Sequence, residues 1–262
     1  MIASGASLLA TAGLTADLPP WLGAYRDVVN QLIGRQAHTT TLAQLLNLAM
    51  SDLAPVRLSA GHLSFVPQAD LTSGEAYEAF IARTACVPTR DNLHDLFNGL
   101  VWLKFPQLKR RLNELQAQQL QQDGVVATRG PVRDALTLFD ENAAVLQAPA
   151  ALVDALRARD WQALFVTHRA AWADTALTLF GHALMEKLTR PRKAMTAHVW
   201  VVPQHVDLQT HLTDVLTPQL LASKPHLPLP VLGVPGWWAA NEAAGYYADI
   251  QVFRPLHPTR KG

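Results

Sequence analysis

The stretch Val87-Pro88-Thr89-Arg90-Asp91-Asn92-Leu93-His94-Asp95-Leu96-Phe97-Asn98-Gly99-Leu100-Val101-Trp102-Leu103-Lys104-Phe105-Pro106 joins a helix start, an apolar stripe and a row of polar side chains. Pro88 biases Val87 away from helix. Thr89 and Asp91 both carry side-chain oxygens suited to capping free backbone N–H groups, so the spacing predicts a helix beginning between residues 89 and 92. Leu93, Leu96, Phe97, Leu100 and Val101 recur at the period of one helical face. His94, Asn98 and Trp102 form a second row, with Asp95 beside it. Asp95 in the first turn complements the helix dipole, and Phe105-Pro106 ends or kinks the helix. The row of His94, Asp95 and Asn98 reads either as a solvated face or as a set of working groups. Trp102 in the same row favours a covered face, and predicts that His94 or Asp95 meets Arg133, Asp134, His182 or Glu186 from elsewhere in the chain.

Upstream, Trp21, Tyr25, Val28, Val29 and Leu32 predict one short helix, and Leu42, Leu45, Leu46 and Ala49 another. Residues 56–59 and 63–67 read as strands around Ala60-Gly61-His62. Ser73-Gly74-Glu75-Ala76 starts a helix with Tyr77, Phe80 and Ile81 on one side. After Pro106, Leu108, Leu112 and Leu115 face inward and Lys109, Arg110 and Arg111 outward. Residues 135–139 and 143–146 read as two strands around Asp140-Glu141-Asn142, a sequence suited to a hairpin turn. Residues 149–159 read as a helix, and Asp160 as the cap of the next. A longer helix is expected over 169–188, where Ala173, Ala176, Leu177, Phe180, Ala183, Leu184 and Leu188 make a broad apolar face and Thr175, Thr178, His182 and Glu186 the opposite row. His182 and Glu186 are i, i+4 neighbours. A strand follows at 197–202 and a helix at 207–221, then an extended Leu227-Pro228-Leu229-Pro230 and a Pro235-Gly236 turn before Trp237-Trp238. Adjacent Trp residues anchor a loop onto a core, or line a pocket beside Asn241.

With 262 residues the chain is long enough for a large core, and 49% hydrophobic against 16% charged residues marks it as globular rather than disordered. A net charge of +1 gives no global pull toward nucleic acid or an anionic membrane. Cys86 is the sole cysteine, so no intramolecular disulfide forms. The first basic residue is Arg26, which leaves the N-terminus without the positive region of a secretory signal. These features predict a soluble, cytoplasmic protein with no membrane segment. The expected architecture is α+β: a mainly helical single domain with a few short strands or hairpins over 17–257, a loosely ordered tail over 1–16 and a flexible basic tail over 258–262. Phosphate-binding glycine loops, Gly-x-Ser-x-Gly and His-Glu-x-x-His are all absent.

The central stretch resembles the signature of a bacterial family known only as a domain of unknown function, whose members carry a His-Asp-(aromatic or Leu)-Phe-Asn segment before a Trp and a Phe-Pro. Residues 133–141, the segment Phe180-Gly181-His182-Ala183-Leu184-Met185-Glu186-Lys187-Leu188, Pro235-Gly236-Trp237-Trp238 and Phe253-Arg254-Pro255 extend the resemblance over most of the chain after about residue 20. Leu93 and Leu96 stand where that pattern has Trp and Phe. The resemblance implies a shared fold and supplies no activity.

Two functional classes follow. In an enzyme of hydrolase type, His94, Asp95 and Asn98 from one helix face His182 and Glu186 from another, giving a general base and acid. Arg133, beside Asp134, holds an anionic substrate group. Two His and two carboxylates are also able to ligate a divalent ion, although no spacing matches a specific metal motif. No cofactor or partner is named by the sequence. In a non-catalytic binding module, the paired Trp residues, the Lys109-Arg110-Arg111 triplet and the Pro-rich C-terminal stretch form a surface for protein or RNA. Trp102, Trp237 and Asn241 are the candidate binding residues in either case.

Overall fold

The computed structural model describes residues 5–123, 130–243 and 245–256. Helices α1 (Gly5–Thr11), α2 (Arg26–Arg35) and α3 (Leu42–Met50) open the chain. The expectation of a loose tail over 1–16 does not hold from Gly5 onward: Leu8, Leu9, Ala12 and Leu14 are buried in the core. Charge alone gave no sign of this, because a short uncharged apolar helix and an uncharged tail look alike in sequence. The expected basic tail at 258–262 lies outside the described residues.

A small hairpin pairs β1 (Arg57–Leu58) with β2 (Gly61–His62). Strand β3 (Ser64–Pro67) does not continue that hairpin. It pairs in parallel with β4 (Cys86–Thr89), and α4 (Tyr77–Thr84) crosses between them. Helix α5 (Leu93–Lys104) then starts one residue later than the capping rules suggested. Asn92 is the N-cap, its side chain accepting from Asp95 N at 2.8 Å. Asp91 is used elsewhere, accepting the Leu42 amide at 2.7 Å where α3 begins. Asn47 of α3 likewise brackets Phe65, donating to its carbonyl at 2.7 Å and accepting from its amide at 2.8 Å. At Phe105-Pro106 the chain turns directly into α6 (Pro106–Asp123).

The segment expected as a hairpin is instead α7 (Pro131–Asn142) followed by β5 (Ala143–Gln147). Pro131 sits in the first turn, and Ala135, Leu136 and Phe139 bury one face. A five-residue apolar run does not separate strand from helix by periodicity, and Pro131 at a helix start was the overlooked signal. After α8 (Ala150–Ala158) and a π-helical turn at Ala163–Thr167, the long helix expected over 169–188 is also absent. A 3-10 segment at Arg169–Asp174 leads to strand β6 (Ala176–Leu179), and the helix α9 spans only His182–Lys187. The interruption is Gly181. A Cβ there would lie 2.5 Å from the Asn142 backbone, and the Phe180 and Gly181 amides both donate to the Ala143 carbonyl. The end of β6 is thus pressed against the junction of α7 and β5.

Strands β7 (Thr196–Val201) and β8 (Leu227–Pro230) complete a sheet of order β6-β5-β7-β8, in which β5 and β7 are parallel and the outer pairs antiparallel. Between them, α10 (Leu208–Val215) and α11 (Pro218–Ala222) replace the single helix expected over 207–221, with Thr217 capping the second ahead of Pro218. Phe139 of α7 packs edge-on to Phe180 and Trp200 at centroid distances of 5.1 and 4.9 Å. Tyr25, fully buried, donates its hydroxyl to the Leu179 carbonyl at 2.7 Å. The result is a mainly helical α+β domain with one contiguous hydrophobic core. No helix among the described residues is long and apolar enough to cross a membrane.

Candidate active site

The polar row of α5 faces α4, α6, α7 and α9 across a cleft of about 450 Å³, whose lining includes Tyr77, Glu78, Arg90, His94, Asp95, Asn98, Arg133, Asp140, Glu141 and His182. That volume suits a small molecule. The expectation that His94 or Asp95 meets a polar partner from elsewhere in the chain holds at His94, between α5 and α9. His94 Nδ1 lies 3.0 Å from Glu186 Oε2, and His94 Nε2 lies 3.1 Å from His182 Nε2. His182 Nδ1 in turn faces Asp140 Oδ2 at 3.6 Å. The order is therefore carboxylate, imidazole, imidazole, carboxylate, running from the half-exposed Glu186 and His94 to the buried His182.

Protons can be assigned along this line. Burial is the largest influence on His182 and, with the nearby Lys109 and His94 charges, lowers its pKa to about 4 against the opposing pull of Asp140. His182 is therefore neutral at neutral pH. If His94 donates from Nδ1 to Glu186, its Nε2 accepts from His182 Nε2. That tautomer turns a lone pair of the buried His182 Nδ1 toward the Asp140 carboxylate, whereas the opposite tautomer donates from Nδ1 to Asp140. The three gaps hold two protons and have room for a third.

Asp140 is the hub of the buried end. Burial is the largest influence and would raise its pKa, but the charge and hydrogen bond of Lys109 lead the opposing influences that hold it below the ordinary carboxylate value. Lys109 Nζ lies 2.6 Å from Asp140 Oδ1, donates to Asn98 Oδ1 at 2.9 Å and sits 5.3 Å from the centroid of Trp102. Asn98 donates to the Tyr77 hydroxyl at 3.1 Å. Burial pushes that hydroxyl well above its ordinary pKa, and it raises the Glu78 carboxyl in the same wall.

The remaining sequence candidates fall as follows. Asp95 lines the cleft but is taken up by Arg90, accepting from its amide at 2.6 Å, its Nε at 3.1 Å and its Nη2 at 3.0 Å. Arg133 lines the cleft, with Nε and Nη1 buried and without a partner among the described residues. Asp134 is exposed and does not line the cleft. Trp102 is buried beneath the row, its Nε1 without a partner. Trp237 and Asn241 are outside the cleft. Trp237 packs on Trp21 with centroids 6.5 Å apart, and Asn241 ties its loop down by donating to the Leu232 and Val234 carbonyls at 3.0 and 2.8 Å.

Sequence reasoning missed Tyr77, Glu78, Arg90, Lys109 and Asp140. Lys109 was read as outward-facing, yet it is 4% exposed. The available signal was Asn113 four residues on, also buried, which makes a polar row beside the Leu108–Leu112–Leu115 stripe. Asp140 was read as turn chemistry. A helical reading of 131–142 would have put Arg133, Thr137 and Asp140 on one face at i, i+4 and i+7. The basic triplet is also divided by the fold: Lys109 is internal, and Arg111 donates to the Leu216 carbonyl at 2.9 Å. Among the described residues no group of three or more His, Cys, Asp and Glu is arranged to hold a metal ion.

Comparison with curated proteins and with solved structures finds no match. Comparison with protein families matches residues 63–257, which contain the whole cleft, to the family described as protein of unknown function (DUF3025). The chain belongs to the DUF3025 family.

Proposed function

We propose that the cleft is a hydrolytic active site in which the His94–His182 pair acts as one general base. The observation that carries this reading is the 3.1 Å contact between the two Nε2 atoms, flanked by Glu186 and Asp140. A water deprotonated in the cleft gives its proton to the pair. Glu186 and Asp140 each face an Nδ1 atom and offset part of the burial that opposes charge at His182, so the cation is best held at the half-exposed His94 end. Burial raises the pKa of Glu78 in the same wall, the direction that a proton donor to the leaving group requires. Tyr77 and Asn98 supply hydroxyl and amide groups for orientation. Burial of Lys109 removes one of the three features on which a protein- or RNA-binding surface was argued.

The test is hydrolysis of p-nitrophenyl carboxylate and phosphate esters by the purified protein and by its His94→Gln and Glu186→Gln variants. Turnover reduced at least 100-fold in both variants, with folded circular-dichroism spectra retained, supports the reading. Turnover that persists unchanged in His94→Gln overturns it. EDTA and added divalent cations are run in parallel. A chelator-sensitive melting temperature that loses its sensitivity in His94→Ala would replace the proton-sharing pair with a metal-bound water.

A further inference from the structure

Charge in the cleft is unevenly matched. Arg90 is held side-on by Asp95, and Lys109 is paired with Asp140. Arg133 has no ion pair among the described residues, and its buried Nε and Nη1 donate to nothing. The exposed carboxylate of the lining, Glu141, makes no ion pair with it. A half-buried guanidinium with two closed-off donors unused is an incomplete binding group, and its fork geometry matches the paired oxygens of a carboxylate or phosphate.

Position along α7 adds a length. Arg133 and Asp140 lie on one face, seven residues apart, which is about 10 Å of helix. The cation and the imidazole pair are therefore at separate places along the cleft. An anion at Arg133 does not sit where bond cleavage would occur.

Resting on the hydrolytic reading above, we infer that the substrate is an elongated small molecule with a terminal carboxylate or phosphate. Arg133 grips that terminus, while the scissile bond lies several atoms away at His94 and His182. Arg133 is thus a specificity-determining residue that contacts substrate, and takes no part in proton transfer.

The experiment compares p-nitrophenyl butyrate with p-nitrophenyl hemiglutarate, which differ by a terminal carboxylate. The expected result is a kcat/KM at least tenfold higher for the hemiglutarate, carried by KM. Arg133→Gln should abolish the preference, bringing the two esters to equal kcat/KM, whereas Arg133→Lys should keep part of it. Equal kcat/KM for the two esters in the wild-type protein overturns this inference and leaves the hydrolytic reading standing. If neither ester is cleaved, calorimetric titration of the intact protein with glutarate and with glycerol phosphate decides separately. Saturable binding of either, weakened at least tenfold in Arg133→Gln and unaffected in His94→Gln, sustains the anion subsite while the hydrolytic reading falls. The preferred titrant tells carboxylate from phosphate. Binding of neither overturns the inference.

Discussion

Lys109 Nζ lies 2.6 Å from Asp140 Oδ1 in a site where both side chains are nearly closed to solvent. The pair links α6 to α7 beneath the imidazoles. Breaking a buried pair from one side leaves an uncompensated charge. Lys109→Met is therefore expected to destabilise the protein by about 3–5 kcal/mol, and Lys109→Met with Asp140→Leu by clearly less. Denaturant midpoints for the two single variants and the double variant check this. Additive losses would show that the two charges are not coupled.

The half-exposed end of the cleft should behave differently. Glu186 contacts His94 but is 38% exposed at the side chain, as is His94. Surface pairs of this kind contribute at most about 1 kcal/mol. Glu186→Gln is expected to change stability by less than that while removing ester hydrolysis. Thermal melts and initial rates on the same preparation read both quantities. A large stability loss with intact turnover would make the pair structural.

The pH dependence of stability follows from His182. Its folded pKa is lowered from 6.5 to about 4. Between those values the unfolded chain binds a proton that the folded protein excludes. Stability is therefore full above pH 6.5 and falls as the pH drops toward about 4, with a slope of at most about 1.4 kcal/mol per pH unit. His182→Gln should flatten that slope in urea titrations at pH 4.5, 5.5 and 6.5. An unchanged slope would show that His182 is not the group responsible.

Gly181 sets where α9 begins. A methyl group there meets backbone of Asn142 at 2.5 Å, and backbone cannot step aside as a flexible side chain can. Gly181→Ala is expected to cost on the order of 1–3 kcal/mol or more. It should also displace His182 from His94, which imidazole chemical shifts in NMR spectra would register even if the variant stays folded.

The legible parts of this molecule were those with a long single-period pattern. The α5 stripe and its polar row, Phe105-Pro106 as a break, and the i, i+4 pairing of His182 with Glu186 could be read from spacing, while the convergence of that pair on His94 could not. The errors cluster where a short apolar run fits two periods. Residues 135–139 fit a strand as well as a helix, and 173–188 fit one long helix although Gly181 and tertiary pairing with β5 divide it. These errors concealed Asp140. Lys109 was hidden for a different reason: nothing local in the sequence distinguishes a lysine that meets a buried carboxylate 31 residues away from one that meets water.

The family match starts at Leu63, yet several supports of the cleft come from before it. Tyr25 holds the Leu179 carbonyl just ahead of Gly181 and His182, the Leu42 amide engages Asp91 at the start of α5, and Asn47 clasps Phe65. The stretch that family comparison recognises is thus shorter than the stretch that packs into the shared core. A fragment cut at residue 63 would uncover the apolar back of α5, and is expected to be insoluble or molten when expressed alone. Co-expression with residues 1–62 as a separate chain should restore a sharp thermal transition, making the N-terminal part a complementing fragment rather than a dispensable leader.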